Sequence, residues 1–271
     1  AQVTEPEAGD RLPVVLLHPT PLGSGFWEPV ARGLAGYRLV IPDLRGHGRS
    51  PLGAAASDQG LTMVQLAEDA LALLDTLGVE RAVFAGCSIG GYTLYELWRR
   101  APERMAGLVF CSSKPQADNE VERARRQQWI GIHEARRAEG LASPAPEFVE
   151  TMLGTLLSKE TQREQPQRVS EVRSMMEQVR PEAIQAVQRG LAARPDSRET
   201  ARTMTAPSCV IAGEQDGSST PEDLQALHAL LEQAGSASEF HVLAQAGHYA
   251  AMEQPAATAA ILLQFCRSIF P

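Results

Sequence analysis

Short apolar runs alternate with helical patterns along most of this 271-residue chain, and that alternation limits its fold more than any other feature. Val14-Val15-Leu16-Leu17 follows Pro13, and a second run at 38–41 stops at Pro42. Further strand-like runs occupy 81–87, 108–111, 208–212 and 240–243. A strand with one wet face alternates apolar and polar residues, whereas a strand covered on both faces reads as a continuous apolar run. Helical patterns fall between these runs, at 27–34, 61–77, 89–100, 221–231 and 255–269. In 61–77, Met63, Leu66, Ala70, Leu73, Leu74 and Leu77 share one face, Thr62 and Gln65 have capping-box spacing, and Gly78 is the stop. Pro102 ends the helix at 89–100, and Thr220 is the N-cap for the helix that starts at Pro221. The pattern predicts an α/β fold, a mostly parallel sheet with helices on both faces.

Residues 113–205 break the alternation. Phe148, Met152 and Leu156 keep helical spacing, as do Val169, Val172, Met176 and Val179, then Ile184, Val187 and Leu191. No strand-like run interrupts them. The expected organisation is an α/β core of 1–112 and 206–271 carrying a helical cap insertion of 113–205. The length suits one such domain.

With 44% hydrophobic residues the chain can bury a large core, and its net charge of -8 gives no electrostatic footprint for nucleic acid or anionic membranes. No apolar run approaches the ~18 residues that would suggest a membrane span. A small-molecule substrate is the expected partner, and homo-oligomerisation is left open. Cys87, Cys111, Cys209 and Cys266 form no CxxC pair, and three of them sit in apolar strand-like runs. They read as reduced thiols in a cytoplasmic protein. No signal peptide is visible, although a chain starting at Ala1 leaves earlier processing open. No His/carboxylate cluster shows ligand spacing in the sequence, so neither a metal nor another cofactor is expected.

Gly86-Cys87-Ser88-Ile89-Gly90 stands between an apolar strand and a helix. A sharp strand-to-helix turn forces its central residue into a strained backbone and leaves room only for small neighbours. It lifts the Ser88 hydroxyl clear of the sheet, beside a helix N-terminus that favours negative charge. A serine hydroxyl needs a base to act as a nucleophile. His248 follows the last strand and Asp216 follows the strand before it, giving the chain order Ser, acid, His. Glu214 and Asp43 are the competing acids. The strand run ending in Cys111-Ser112-Ser113-Lys114 supplies none. His133, His228 and His241 fall inside helical or strand patterns and read as structural. The expected oxyanion donors are the backbone N–H of Ile89 and one in the loop His18-Pro19-Thr20-Pro21-Leu22. Pro19 and Pro21 have no N–H, which leaves Thr20 or Leu22; Thr20 aligns with the donor position.

With these motifs in order, the chain resembles the α/β-hydrolase superfamily over nearly its whole length. Asp43-Leu44-Arg45-Gly46-His47-Gly48-Arg49-Ser50 matches that family's D-x-R-G-x-G-x-S segment, and residues 247–255 match its G-H-x4-E-x-P ending. Arg194-Pro195-Asp196-Ser197, Ala206-Pro207 and residues 213–221 resemble the 3-oxoadipate enol-lactonase-like branch. The resemblance implies a serine hydrolase acting on an ester or lactone through an acyl-enzyme. Thioester or C–C bond hydrolysis on the same triad remains an alternative, as does a ligand-binding protein of low turnover. Dehalogenase and epoxide hydrolase chemistry on this fold needs a carboxylate where Ser88 stands. Two departures stand out. Pro19 replaces the family's usual Gly after the first histidine. The polar residues 1–12 leave the usual N-terminal edge hairpin shortened or absent. Trp129, Met152, Met175 and Met176 of the insertion, with Trp27 and Tyr249 beside catalytic loops, are the candidate substrate contacts.

Overall fold

The computed structural model describes residues 1–4, 13–54, 56 and 60–269. Seven strands form one sheet: β1 (Gln2–Thr4), β2 (Val14–Leu17), β3 (Leu39–Ile41), β4 (Ala82–Cys87), β5 (Met105–Cys111), β6 (Ser208–Gly213) and β7 (Ser238–Leu243). Their spatial order is β1-β3-β2-β4-β5-β6-β7. β1 runs antiparallel to β3, and every other pairing is parallel. A single three-residue strand thus forms the N-terminal edge. Residues 5–12, where the rest of an edge hairpin would have to form, lie outside the described residues.

The first helical segment is α1 (Glu28–Ala31), flanked by 3-10 turns at Ser24–Trp27 and Arg32–Leu34. The expected helix at 27–34 is therefore made of short pieces, with Pro29 in the first turn of α1, where its missing donor is tolerated. α2 (Met63–Thr76) keeps its expected cap: Thr62 Oγ1 accepts the Gln65 N–H, and Gln65 Oε1 accepts the Thr62 N–H at 2.9 Å. α3 (Ile89–Arg100) leaves the end of β4 directly. Between β5 and β6 lie α4 (Glu120–Ala138), α5 (Pro146–Leu156), α6 (Lys159–Glu164), α7 (Pro166–Glu177), α8 (Pro181–Ala192) and α9 (Arg198–Ala201). α10 (Pro221–Gln233) joins β6 to β7, and α11 (Ala250–Glu253) and α12 (Pro255–Ile269) close the chain. No helix among the described residues is long and apolar enough to cross a membrane.

Strand alternation divides the core in two. Val83, Ala85 and Cys87 face one side with Leu262, Phe265 and Cys266 of α12. Phe84 faces the other with Leu66 and Leu74 of α2, Leu94 and Leu97 of α3, and Leu227 and Leu231 of α10. Each large apolar side chain buried this way contributes about 1.5–3 kcal/mol against chain entropy. The chain steps from β2 outward to β3, then returns to β4 and proceeds the opposite way. That reversal opens a crevice at the carboxyl ends of β2 and β4, where ligands bind in open α/β sheets.

Candidate active site

Ser88 sits at that crevice, with φ +52° and ψ -116°. A non-glycine residue in this region is strained and persists only when its surroundings hold it. The hold is visible: the Ser88 N–H donates to Cys111 O at 3.1 Å, and the Tyr92 N–H donates to Ser88 O at 2.8 Å. The first turn of α3 also presses on β2, because a Cβ on Gly90 would lie 2.2 Å from Leu17 O. That contact aims the N-terminus of α3 at the loop after β2.

Asp216 follows β6 and His248 follows β7. Gly213 lets the two loops meet, since a Cβ there would lie 2.0 Å from Gly247 O. His248 Nδ1 lies 2.9 Å from Asp216 Oδ2, with both side chains almost wholly buried. Asp216 Oδ1 accepts the N–H groups of Ser218 at 2.8 Å and Ser219 at 3.0 Å. Burial alone would raise the Asp216 carboxyl, but the adjacent His248 ring and these N–H donors outweigh it and hold the group below its usual range. A carboxylate only accepts, so Nδ1 carries the His248 proton and Nε2 keeps its lone pair. Ser88 and His248 line one cavity of about 90 Å³. The Ser88 hydroxyl makes no hydrogen bond among the described residues.

The His248 loop is tied on several sides. Glu253 is buried; its Oε1 accepts the Gly247 N–H at 2.9 Å and its Oε2 accepts the Ser158 N–H at 2.8 Å. Tyr249 Oη donates to Thr20 O at 3.0 Å. The competing acids are engaged elsewhere. Asp43 accepts the Ser24 N–H at 2.8 Å and the Arg49 N–H at 3.3 Å, and Glu214 accepts the Gln245 N–H at 2.8 Å. Burial opposes ionisation of Asp43, yet the donors at Ser24 and Arg49 bring its pKa down to about 2.

The loop after β2 is equally fixed. Leu22 N–H is used inside the turn, donating to Pro19 O at 3.2 Å, while Thr20 N–H has no partner among the described residues. His47 Nδ1 must donate to Arg45 O at 3.0 Å, since a carbonyl cannot. Its Nε2 therefore accepts from Thr20 Oγ1 at 2.9 Å. His18 behaves likewise: Nε2 accepts the Leu44 N–H at 2.8 Å, so Nδ1 donates to Pro19 O at 2.8 Å.

Trp129 and Met152 stand in the cavity wall with Tyr92, Leu156 and Leu191. Trp27, Met176 and Tyr249 do not, contrary to expectation: all three are fully buried in the apolar core. Trp27 packs edge-on against Phe26, Met176 joins Val172 beneath the helices, and Tyr249 spends its hydroxyl on Thr20. A charged cluster that periodicity could not reveal borders the same space. Asp118 there takes the guanidinium of Arg126, which also donates to Gln188 Oε1 at 3.1 Å. Behind it, buried Arg194 reaches Asp118 Oδ1 at 3.4 Å and lies 3.9 Å over the Tyr92 ring. One group of metal-ligand types was also unforeseen. Cys209, Glu239 and His241 come together on β6 and β7 with donor atoms within 4.8 Å of one another.

A strained serine and a buried histidine paired with a carboxylate thus line one cavity at the carboxyl end of a mostly parallel sheet covered by helices, the architecture of the α/β hydrolases. The chain belongs to that family: the alpha/beta hydrolase fold family matches residues 13–255. It is 27% identical over 246 residues to 3-oxoadipate enol-lactonase 1 of Acinetobacter baylyi, covering 90% of this chain and 85% of that protein. A solved thermophilic esterase from Thermogutta terrifontis, with malate bound, superimposes with TM-score 0.87 at 30% identity, over 97% of this chain and 92% of its own. The enol-lactonase of Burkholderia xenovorans shares the fold with TM-score 0.84 at 23% identity, over 98% and 95% of the two chains.

Proposed function

We propose that the chain is a serine hydrolase that cleaves a carboxylic ester or lactone through Ser88, His248 and Asp216. The observation that carries this reading is the 2.9 Å bond from His248 Nδ1 to Asp216 Oδ2 beside the cavity that Ser88 and His248 share. As Ser88 Oγ bonds to the substrate carbonyl carbon, His248 Nε2 takes the hydroxyl proton. The charge that develops on the carbonyl oxygen is met by the N–H groups of Ile89 and Thr20, worth about 3 kcal/mol each by analogy with other oxyanion holes. The tetrahedral species collapses, the bond to the leaving oxygen breaks, and His248 returns its proton there. Water then repeats the sequence on the acyl-enzyme, releasing the acid and restoring Ser88. In a lactone the leaving oxygen stays on the acyl chain, so one product departs. Asp216 keeps the imidazole in the productive tautomer and stabilises the imidazolium.

The helices of 113–205 act as a cap over the core of 1–112 and 206–271, excluding water and shaping the acyl site. A space of about 90 Å³ is small beside the roughly 300–1,000 Å³ of drug-sized ligand pockets and favours a short acyl group. Trp129 and Met152 contact it. Similarity to an enol-lactonase and to an esterase supports the carbonyl-ester class. A fluorophosphonate probe tests the nucleophile: Ser88 is labelled in the native chain and labelling vanishes in Ser88→Ala. Full labelling of that variant overturns the assignment. A parallel panel of short esters, lactones and thioesters is expected to give the highest kcat/KM on the first two classes.

A further inference from the structure

We propose that Cys209, Glu239 and His241 form a binding site for a zinc-like divalent cation, separate from the Ser88 cavity, whose lining includes none of the three. Strand pairing builds the site. The parallel register sets Cys209 opposite Glu239 and Ile211 opposite His241. Cross-strand partners face the same side of a sheet, and so do residues two apart on one strand. All three donors therefore project from one face. Cys209 lies in the same buried cluster as Leu262, Phe265 and Cys266 of α12. β7 is the last strand of the sheet, and the side chains of His241 and Glu239 remain 31% and 34% exposed there. A buried sulfur is thus overlooked by an imidazole and a carboxylate that meet solvent.

The spacing suits coordination. His241 Nε2 and Glu239 Oε2 are 3.2 Å apart. Two metal bonds of ~2.0–2.1 Å spanning that distance subtend roughly 100°, near the tetrahedral angle. The group as a whole falls within 4.8 Å, against ~3.5 Å between sulfur and a nitrogen or oxygen around tetrahedral zinc. Closing that gap takes about an ångström of side-chain movement, available to the half-exposed Glu239 and His241. One sulfur, one nitrogen and one oxygen donor select zinc-like ions over magnesium or calcium, which take oxygen ligands. On binding, the Cys209 thiol gives its proton to solvent and the metal–sulfur bond forms. His241 binds as neutral imidazole, and water takes the fourth position on the open side. His228 is engaged on the opposite face of β7, where it stacks on Phe240 and meets Ser238 Oγ at 2.8 Å. The cation ties the edge strand to its one neighbour in the sheet, and so raises the unfolding temperature.

The test uses the full chain without an affinity tag, stripped with chelator and titrated calorimetrically with Zn²⁺ alone. One ion per chain is expected, with affinity lowered at least ~10-fold in His241→Ala and in Glu239→Ala. Co²⁺ in place of Zn²⁺ is expected to give a thiolate-to-metal charge-transfer band that is absent in Cys209→Ala. If that core variant does not fold, His241→Ala, altered at a partly exposed side chain, carries the test. Failure of the native chain to bind Zn²⁺, native affinity in His241→Ala, or a Co²⁺ spectrum without the thiolate band overturns the proposal. None of these readouts depends on hydrolysis by Ser88.

Discussion

Asp216 divides its two oxygens between partners: Oδ2 meets His248 Nδ1 at 2.9 Å, and Oδ1 takes the N–H groups of Ser218 and Ser219. The carboxylate is thereby clamped to its own loop while it fixes the ring of another. In Asp216→Asn an amide oxygen can keep the loop contacts, but the amide nitrogen then faces His248 Nδ1 as a donor. The imidazole proton moves to Nε2, where it blocks proton uptake from Ser88. Expected is a fall in kcat of about ten-thousand-fold with little change in KM, measured on the best ester of the panel. A variant that folds and stays within tenfold of native kcat would remove Asp216 from the mechanism.

The close approach of Gly90 to Leu17 O makes a second prediction quantitative. A methyl group there forces α3 away from β2, so Gly90→Ala is expected to cost about 1–3 kcal/mol in urea unfolding and to slow probe labelling of Ser88. Gly131 is the control. It lies inside α4 with nothing within 4 Å of an added Cβ, so Gly131→Ala is expected to stabilise by about 0.5–1 kcal/mol and leave labelling unchanged. Equal effects of the two substitutions would contradict the geometry.

These contacts mark where the sequence could be read and where it could not. The strands at 14–17 and 81–87, the capping box of Thr62 and Gln65, and the elbow around Ser88 were legible because each is written in neighbouring residues. Their order implied an α/β fold, and the resemblance of the motifs around Ser88, at 43–50 and at 247–255 to the α/β-hydrolase superfamily implied that family's version of it. The position of Met176 was not legible, since helical spacing is the same for a pocket wall and for packed core; nor were those of Trp27 and Tyr249, since standing beside a catalytic loop does not fix which way a side chain turns. Glu253 was visible as part of a motif, but the two hydrogen bonds it accepts, from the N–H groups of Gly247 and Ser158, depend on two distant segments meeting. Cys209, Glu239 and His241 meet only through the register of β6 with β7, which no local pattern specifies.

Asp118 anchors two cations beside the cavity, and one of them, Arg194, is buried. Taking away the anion leaves that guanidinium without its counter-charge in a place water does not reach. Asp118→Asn is expected to lose about 3–5 kcal/mol of stability by chemical denaturation. Adding Arg194→Met is expected to restore part of the loss, because the stranded charge goes with it. A single-variant loss below about 1 kcal/mol would show that the pair is not stabilised as its burial implies.

Acid sensitivity follows from the two buried histidines of the β2 and β3 loops. Burial, with His47 nearby, lowers His18 to about 3, and burial lowers His47 to about 4. Both are therefore neutral in the folded chain at pH 6, whereas in the unfolded chain they titrate near ~6.5. The unfolded state binds more protons throughout that interval, so stability is fully present above ~6.5 and falls as pH drops toward the folded values. At pH 5 the two together make unfolding more favourable by up to ~2.7 kcal/mol per pH unit. Urea unfolding from pH 7 to pH 4.5 is expected to show this slope, reduced by about half in His47→Gln, which keeps an amide near Thr20 but cannot take up a proton. A flat profile between pH 6.5 and 5 would mean that these rings are not held neutral by burial, and with that the tautomers assigned to the loop carrying Thr20 would lose their support.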